Sequence, residues 1–341
     1  MSEPSIFEKT KDILPVYYCY TVFGILAFVS NLVIIVVYLS NNLLRSRFSM
    51  YAGLAVADMI NGLGFIVTGL ERLRQEYSLM DVYSIPIMSR YECALQVGNM
   101  LQVVGSQWPA LITLSLGLER FCAVRYPMSY RQFKTKMFHG LLIASFVISL
   151  ISIAVGLYIG LVVQRNSRSF YVCTLSNAYG FEYSTFNYFL TMICHVVGFT
   201  FNISAFGTVK KTAKRVGFYN RILSREYRKV KIILIVSLLS LIMVVFPNLF
   251  LYVTRFIQSG VNPVILGWVY CLFVLRSIFN FWVIGFGVPE FKVRFFEVFI
   301  PCFASSANPV PVADSKVRIS LQDHVSQKKN SAMVFKVATI G

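Results

Sequence analysis

The stretch Glu119-Arg120-Phe121-Cys122-Ala123-Val124-Arg125-Tyr126-Pro127 lies where the third of seven long apolar stretches meets a basic segment. A carboxylate and a guanidinium at a membrane boundary are costly to bury, so they must be paired or kept close to water. Charges in such a position mark function more often than packing. We therefore predict that Glu119, Arg120 and Phe121 form a switch at the end of a membrane helix.

The composition of the whole chain is that of an integral membrane protein. Of its 341 residues, 56% are hydrophobic and 14% are charged, and the mean hydropathy is +0.65, whereas a soluble domain has about 25% charged residues. Seven apolar stretches reach the ~20 residues that a helix needs to cross a bilayer. The predicted fold class is therefore all-α, a bundle of seven transmembrane helices. The stretches cover residues 15–39, 49–73, 91–124, 137–163, 185–209, 232–256 and 265–287.

The basic residues indicate how the chain crosses the membrane. A formal net charge of +17 would suggest a nucleic-acid partner in a soluble protein, but here the charge alternates with the apolar stretches, so no nucleic acid is expected. Cytoplasmic loops are enriched in lysine and arginine, which places the N-terminus outside and the C-terminus inside. The residues concerned are Arg45, Arg47, Arg125, Arg131, Lys134, Lys136 and the basic run from Lys210 to Lys231.

The chain divides into three predicted regions. Residues 1–14 form an extracellular tail, residues 15–300 form the membrane domain, and residues 301–341 form a polar cytoplasmic tail that is expected to be disordered. The membrane domain ends in a short amphipathic eighth helix, which begins with a proline and an acid at Pro289-Glu290. Cys302 follows this helix as a site for palmitoylation, although such a cysteine is about as often unmodified.

Two cysteines fall in predicted outer segments. Cys93 and Cys173 would face an oxidising compartment, where a disulfide persists, and we predict that they pair. Cys19 and Cys271 also lie near the outer face, so a different pairing stays open.

Four polar side chains fall at similar depth inside the predicted membrane helices. Asn31, Asp58 and Asn280 share one layer, and Arg276 lies one helical turn outward of Asn280. A buried arginine needs a counter-charge, and Asp58 is the one carboxylate at that depth, so we predict an ion pair between helices two and seven. The alternative is a purely structural polar contact. Pro247 interrupts helix six as a fixed bend or as a hinge.

The order and depth of these features resemble the rhodopsin-like G-protein-coupled receptors over about residues 15–300. Within that superfamily the chain is most similar to the nematode serpentine chemoreceptors of the Srsx type, on Leu44 to Arg47, Ala57-Asp58 and the ending from Asn280 to Lys292. The residues that carry the wider resemblance are Asn31, Leu54 to Asp58, Cys93, Glu119 to Phe121, Ala123, Val124, Pro127, Cys173 and Pro247.

The resemblance implies a chemosensory receptor that transmits an extracellular ligand signal to a heterotrimeric G protein. The ligand would be a small molecule or a peptide, arrestin and a kinase would act on the C-terminal tail, and the location would be the plasma membrane, with a sensory cilium as one destination. No cofactor and no catalytic site are expected. Glu226 is a second predicted partner for Arg120. The predicted ligand contacts are Gln102, Gln107, Trp108, His195, Phe246, Asn248, Trp268 and Tyr270, each with helix packing as the alternative.

Several departures from the superfamily pattern narrow the prediction. Helix seven reads Asn280-Phe281-Trp282, without the usual proline and tyrosine, and Val245 stands where helix six usually has a tryptophan. Val274 replaces the lysine that an opsin needs, and Gln102 stands where amine receptors carry an aspartate. A transporter or a ligand-gated channel is the alternative function, although the chain shows no internal repeat.

Overall fold

The computed structural model describes residues 6–80, 88–163, 168–169, 173–216, 221–256 and 262–299. The chain forms two compact units, Met1–Lys292 and Val293–Gly341. The predicted boundary of the tail at residue 301 and the predicted palmitoylation of Cys302 both lie outside the described residues.

The described residues of the first unit contain seven long helices. Between them lie three short helices and a two-stranded antiparallel sheet, and an eighth helix follows helix seven. The long helices are helix one Ile6–Leu39, helix two Ser49–Met80, helix three Val97–Arg125, helix four Pro127–Tyr158 with a π-helical end Ile159–Val163, helix five Phe181–Val216, helix six Arg221–Ser240 with a π-helical turn Leu241–Val245 and an outer part Phe246–Thr254, and helix seven Pro263–Gly287. The others are Asn42–Arg47, Arg90–Ala94, Leu175–Tyr179 and the eighth helix Pro289–Phe299, with β1 at Met88–Ser89 and β2 at Arg168–Ser169.

Most helices begin or end beyond the apolar stretches that predicted them, but helix three begins at Val97 instead of residue 91, because Arg90–Ala94 forms a separate short helix. Helix four was predicted from residue 137, but it begins at Pro127, and Tyr126 alone separates it from helix three. Proline suits the first turn of a helix, because its missing N–H is not needed there. The segment predicted as a basic loop is thus a polar helical extension. Hydropathy does not distinguish an exposed helical turn from a loop.

The bundle has apolar side chains on its outside and a mixture of apolar and polar side chains within. Six described helices are long and apolar enough to cross a membrane. Helix three, which packs against helices two, four and five, has a polar buried face that includes Asn99, Gln102 and Gln107. Helix four shows the opposite pattern, because an exposed apolar stripe faces outward as expected in lipid. That stripe consists of Ile143, Val147, Ile151 and Val155.

Two glycines bring helices three and five into close contact. A Cβ atom added at Gly117 would lie 2.5 Å from the carbonyl oxygen of Gly198, so any larger residue would push the backbones apart. The close approach allows side chains of the two helices to bond directly. Gln107 Nε2 donates to Asn187 Oδ1 at 2.8 Å.

A disulfide joins the outer connections, as predicted. Cys93 and Cys173 are bonded across 80 residues of chain, with their Cα atoms 5.2 Å apart, while Cys19 and Cys271 are free. Cys93 lies in the short helix Arg90–Ala94, which begins with a capping box formed by Ser89 and Glu92. The disulfide therefore holds the segment before helix five against the start of helix three.

Candidate functional site

A cavity opens among helices two, three, five, six and seven. Its volume is about 500 Å³, including the space that is open to solvent at its mouth. Leu175, from the segment that the disulfide holds, contributes to its wall. The lining residues are Asn61, Phe65, Gln102, Gly105, Ser106, Leu175, Asn187, Tyr188, Thr191, His195, Val244, Asn248, Tyr270, Phe273 and Arg276.

Four of the eight predicted ligand contacts line this cavity, and four do not. Gln102, His195, Asn248 and Tyr270 are lining residues. Of the other four, Trp108 packs on Phe146 with the ring centroids 4.8 Å apart, and Phe246 and Trp268 are exposed on the bundle surface, by 62% and 45%. Gln107 is buried and bonds to Asn187.

The exposure of Phe246 has a local cause in helix six. The turn Leu241–Val245 is π-helical, and such a turn adds a residue that rotates all that follows relative to a regular α-helix. Pro247 comes two residues later, where it has no N–H to donate. The side chain of Asn248 supplies a nearby donor, because its Nδ2 bonds to the Val244 carbonyl at 2.8 Å.

Helix five supplies a row of three lining residues, and of these His195 alone was predicted from the sequence. Asn187, Thr191 and His195 are spaced four residues apart and all line the cavity, since this spacing places side chains on one face of a helix. The same spacing of polar residues in an apolar stretch was the signal that could have found them.

Aromatic and basic side chains connect helices five, six and seven next to the cavity. Arg255 of helix six donates to Ser184 Oγ of helix five at 2.5 Å and lies 4.8 Å from the ring centroid of Tyr188. Tyr188 shares a hydroxyl hydrogen bond with Tyr270 of helix seven. A ligand at the Tyr188–Tyr270 pair, which lines the cavity and defines its rim, would contact helices five and seven, and Arg255 of helix six lies directly behind Tyr188.

An ion pair lies at the inner end of the cavity. Arg276 of helix seven bonds through its NH2 group to Asp58 Oδ1 of helix two, and Asn280 Nδ2 donates to Asp58 Oδ2 at 3.1 Å. Both charged side chains are almost completely buried, with 3% and 1% exposed. Asn31 is buried as well, but its amide donates to Ala27 O within helix one at 2.8 Å. The described hydrogen bonds therefore join three of the four predicted residues.

Sodium ions are expected to leave the stability of the protein unchanged. Both carboxylate oxygens of Asp58 already accept hydrogen bonds, and the Arg276 charge beside them repels a cation. The thermal unfolding midpoint of the purified protein should therefore be the same in sodium chloride and in potassium chloride of equal concentration. A rise in sodium alone would show that the ion reaches Asp58 and would contradict this geometry.

The predicted inner switch lies at the end of helix three. The Glu119 carboxylate accepts a hydrogen bond from the Tyr130 hydroxyl of helix four through Oε1, and its Oε2 lies 3.5 Å from Arg120 Nε. Arg120 also interacts with the Tyr51 hydroxyl of helix two. Phe121 packs on Phe201 of helix five, with the centroids 5.4 Å apart. The side chain of Glu226, predicted as a second partner, lies outside the described residues.

Substituting Tyr130→Phe is expected to lower the free energy of unfolding by about 1.5–3 kcal/mol. The substitution removes the hydroxyl that donates to Glu119, and a hydrogen bond to a charged group is worth about that much. Thermal unfolding of the purified protein in nanodiscs provides the readout. Tyr126→Phe is the matched control, because this tyrosine lies one turn earlier and is exposed. Equal unfolding midpoints in both variants would mean that the Tyr130 contact adds no stability.

Seven long helices, with a cavity among five of them and the Glu119–Arg120 pair near the far end of helix three, give the protein the architecture of a seven-transmembrane receptor. Its sequence matches the family described as serpentine type 7TM GPCR chemoreceptor Srsx over residues 24–299, and the chain belongs to that family. No curated protein matches the chain significantly. Membership confirms the predicted resemblance and the multi-pass location in the plasma membrane. Receptors of this kind are in general not enzymes.

Proposed function

We propose that this receptor detects a small extracellular molecule and activates a heterotrimeric G protein in response. The observation that carries the proposal is the presence of two separate sites on one helix. Helix three lines the outer cavity through Gln102 and carries the Glu119–Arg120 pair near its other end. The cavity, which is lined by close-packed helices, suits a small molecule better than a peptide.

The orientation of the chain is supported by two independent features. The Cys93–Cys173 disulfide lies at the end of the bundle where helix three begins, and disulfides persist in the oxidising compartment outside the cell. Basic residues follow the other end of helix three in the sequence, as expected of a cytoplasmic segment. Both features support an N-terminus outside the cell and a C-terminus inside. Arrestin, a kinase and a ciliary location remain expectations, and the tail on which the first two would act lies outside the described residues.

Helix six is the element that would move. Its π-helical turn and Pro247 interrupt the regular hydrogen bonds between the inner and outer parts. Ligand contacts at the rim would favour one position of the outer part, and the inner part would then open a cavity for the G protein beside Arg120. A ligand shifts this equilibrium only by its difference in affinity for the two arrangements.

Substituting Arg120→Ala is expected to abolish ligand-dependent signalling, because Arg120 is the residue that would line the opened cavity. The test is a screen of small water-soluble and volatile compounds on cells that express the chain, with second messengers and membrane current both recorded. Arg125→Ala serves as the matched control, because it removes a cation at the same end of helix three. The proposal fails if Arg120→Ala responds like the unmodified receptor, or if the compounds evoke a current without a second messenger, as a channel would.

A further inference from the structure

Arg276 offers an unused hydrogen-bonding group to the cavity. Its NH2 group is occupied by Asp58, but its NH1 group is buried without a hydrogen-bond partner among the described residues. The side chain is 3% exposed and lines the cavity. A buried guanidinium donor without a partner is costly, because it has lost its hydrogen bonds to water and has formed no others.

Two further lining groups on helix five are also without partners. Thr191 Oγ1 and His195 Nδ1 are buried and make no described hydrogen bond. His195 lies within electrostatic range of Arg276. The inner part of the cavity thus combines a cation with a hydroxyl group and an imidazole that are free to bond a ligand.

Several acceptors in the cavity wall are in contrast already occupied. Asn187 Oδ1 accepts from Gln107 Nε2 at 2.8 Å and from Ser106 Oγ at 3.3 Å. The hydroxyls of Tyr188 and Tyr270 bond to each other. Among the described lining residues, Arg276 is the only charged one. An ammonium ligand would therefore meet a cation and no counter-charge, whereas an anion would meet an unused donor.

The remainder of the wall is apolar, with Phe65, Leu175, Val244 and Phe273 among its members. From this arrangement we propose that the cavity binds a small organic monocarboxylate, with its carboxylate on Arg276 NH1 and Thr191 and its apolar body among these side chains. The inference rests on the proposed receptor function for its biological meaning, but the binding itself can be measured without a G protein.

The test measures thermal stabilisation of the purified receptor in nanodiscs by straight-chain acids from acetate to octanoate, with benzoate and phenylacetate. Each acid is compared with its primary amide and with the amine of the same chain length. We expect at least one acid to raise the unfolding midpoint, while its amide and amine do not. The class is overturned if no acid stabilises the receptor, or if amides or amines do so equally well.

Variants then locate the site. The double variant Asp58→Asn/Arg276→Gln removes both charges of the pair, so no buried charge is left alone, and it should abolish stabilisation by the acid. Thr191→Val keeps the shape of the side chain and should weaken acid binding roughly tenfold. Arg72→Gln is the control, because it removes an arginine that does not line the cavity. Unchanged acid binding in the double variant would place the acid elsewhere and overturn the proposal.

Nucleotide exchange on the G protein, measured on the same samples, separates this inference from the proposed function. Acid binding without exchange would refute G-protein coupling and leave the ligand class standing. Exchange that is driven by a neutral compound, with no thermal stabilisation by the acids, would support G-protein coupling and overturn the proposed ligand class.

Discussion

Substituting Asp58→Asn is expected to destabilise the receptor by about 3–5 kcal/mol, because it leaves the Arg276 guanidinium buried without its counter-charge. Arg276→Gln should cost less, since a stranded aspartate can become neutral by taking up a proton, whereas an arginine cannot lose one. The double variant should regain much of the loss. Thermal unfolding of all three variants in detergent gives the coupling energy of the pair.

The control for this cycle is Asn31→Ala. Asn31 is buried at a comparable depth, but its amide bonds within helix one. Its change in unfolding free energy should therefore add to that of Asp58→Asn. The changes caused by Asp58→Asn and Arg276→Gln should not add. Strict additivity of the two charge substitutions would show that the pair contributes no net coupling.

Removing the disulfide with Cys93→Ala and Cys173→Ala is expected to destabilise the receptor by about 2–3 kcal/mol. The loop of 80 residues would predict about 4.5 kcal/mol for a free chain. Helices three and four lie within that loop and remain in the membrane, so the unfolded state gains less freedom than a free chain would. Thermal unfolding with and without reductant measures the effect. The single and double variants should be equally unstable, because they break the same bond.

Cys194→Ala is the matched control for the disulfide. Cys194 is as buried as Cys173 but free, so its truncation changes packing alone and its effect should not depend on reductant. The disulfide variants should also lose affinity for any ligand of the cavity, because Leu175 would no longer be held in its wall. If reductant destabilises the doubly substituted protein as much as the unmodified one, then loss of the Cys93–Cys173 bond is not the cause of the destabilisation.

The sequence was sufficient for the architecture but not for the ends of the helices. Seven apolar stretches identified seven helices, since hydropathy summed over ~20 residues is a strong signal. The start of helix four at Pro127 was missed, because exposed helical turns have the composition of a loop. The disulfide was predicted correctly from the compartment that its cysteines face.

The candidate site was predicted in part, for reasons that differ between residues. Asp58 and Arg276 were paired in advance because buried charges of opposite sign at one depth have few alternatives. Phe246 was misplaced, since the π-helical turn before it leaves no clear sequence signal. Trp268 was misplaced for another reason: a large aromatic residue in a membrane helix suits the lipid surface as well as the interior.

The ion pair also constrains how this receptor can change over generations. Its two members are 218 positions apart in the chain, so no single mutation can replace both. A lineage that lost either charge first would have to tolerate a stranded partner until the second substitution arose. The two positions are therefore expected to covary, so that relatives keep both charges or neither.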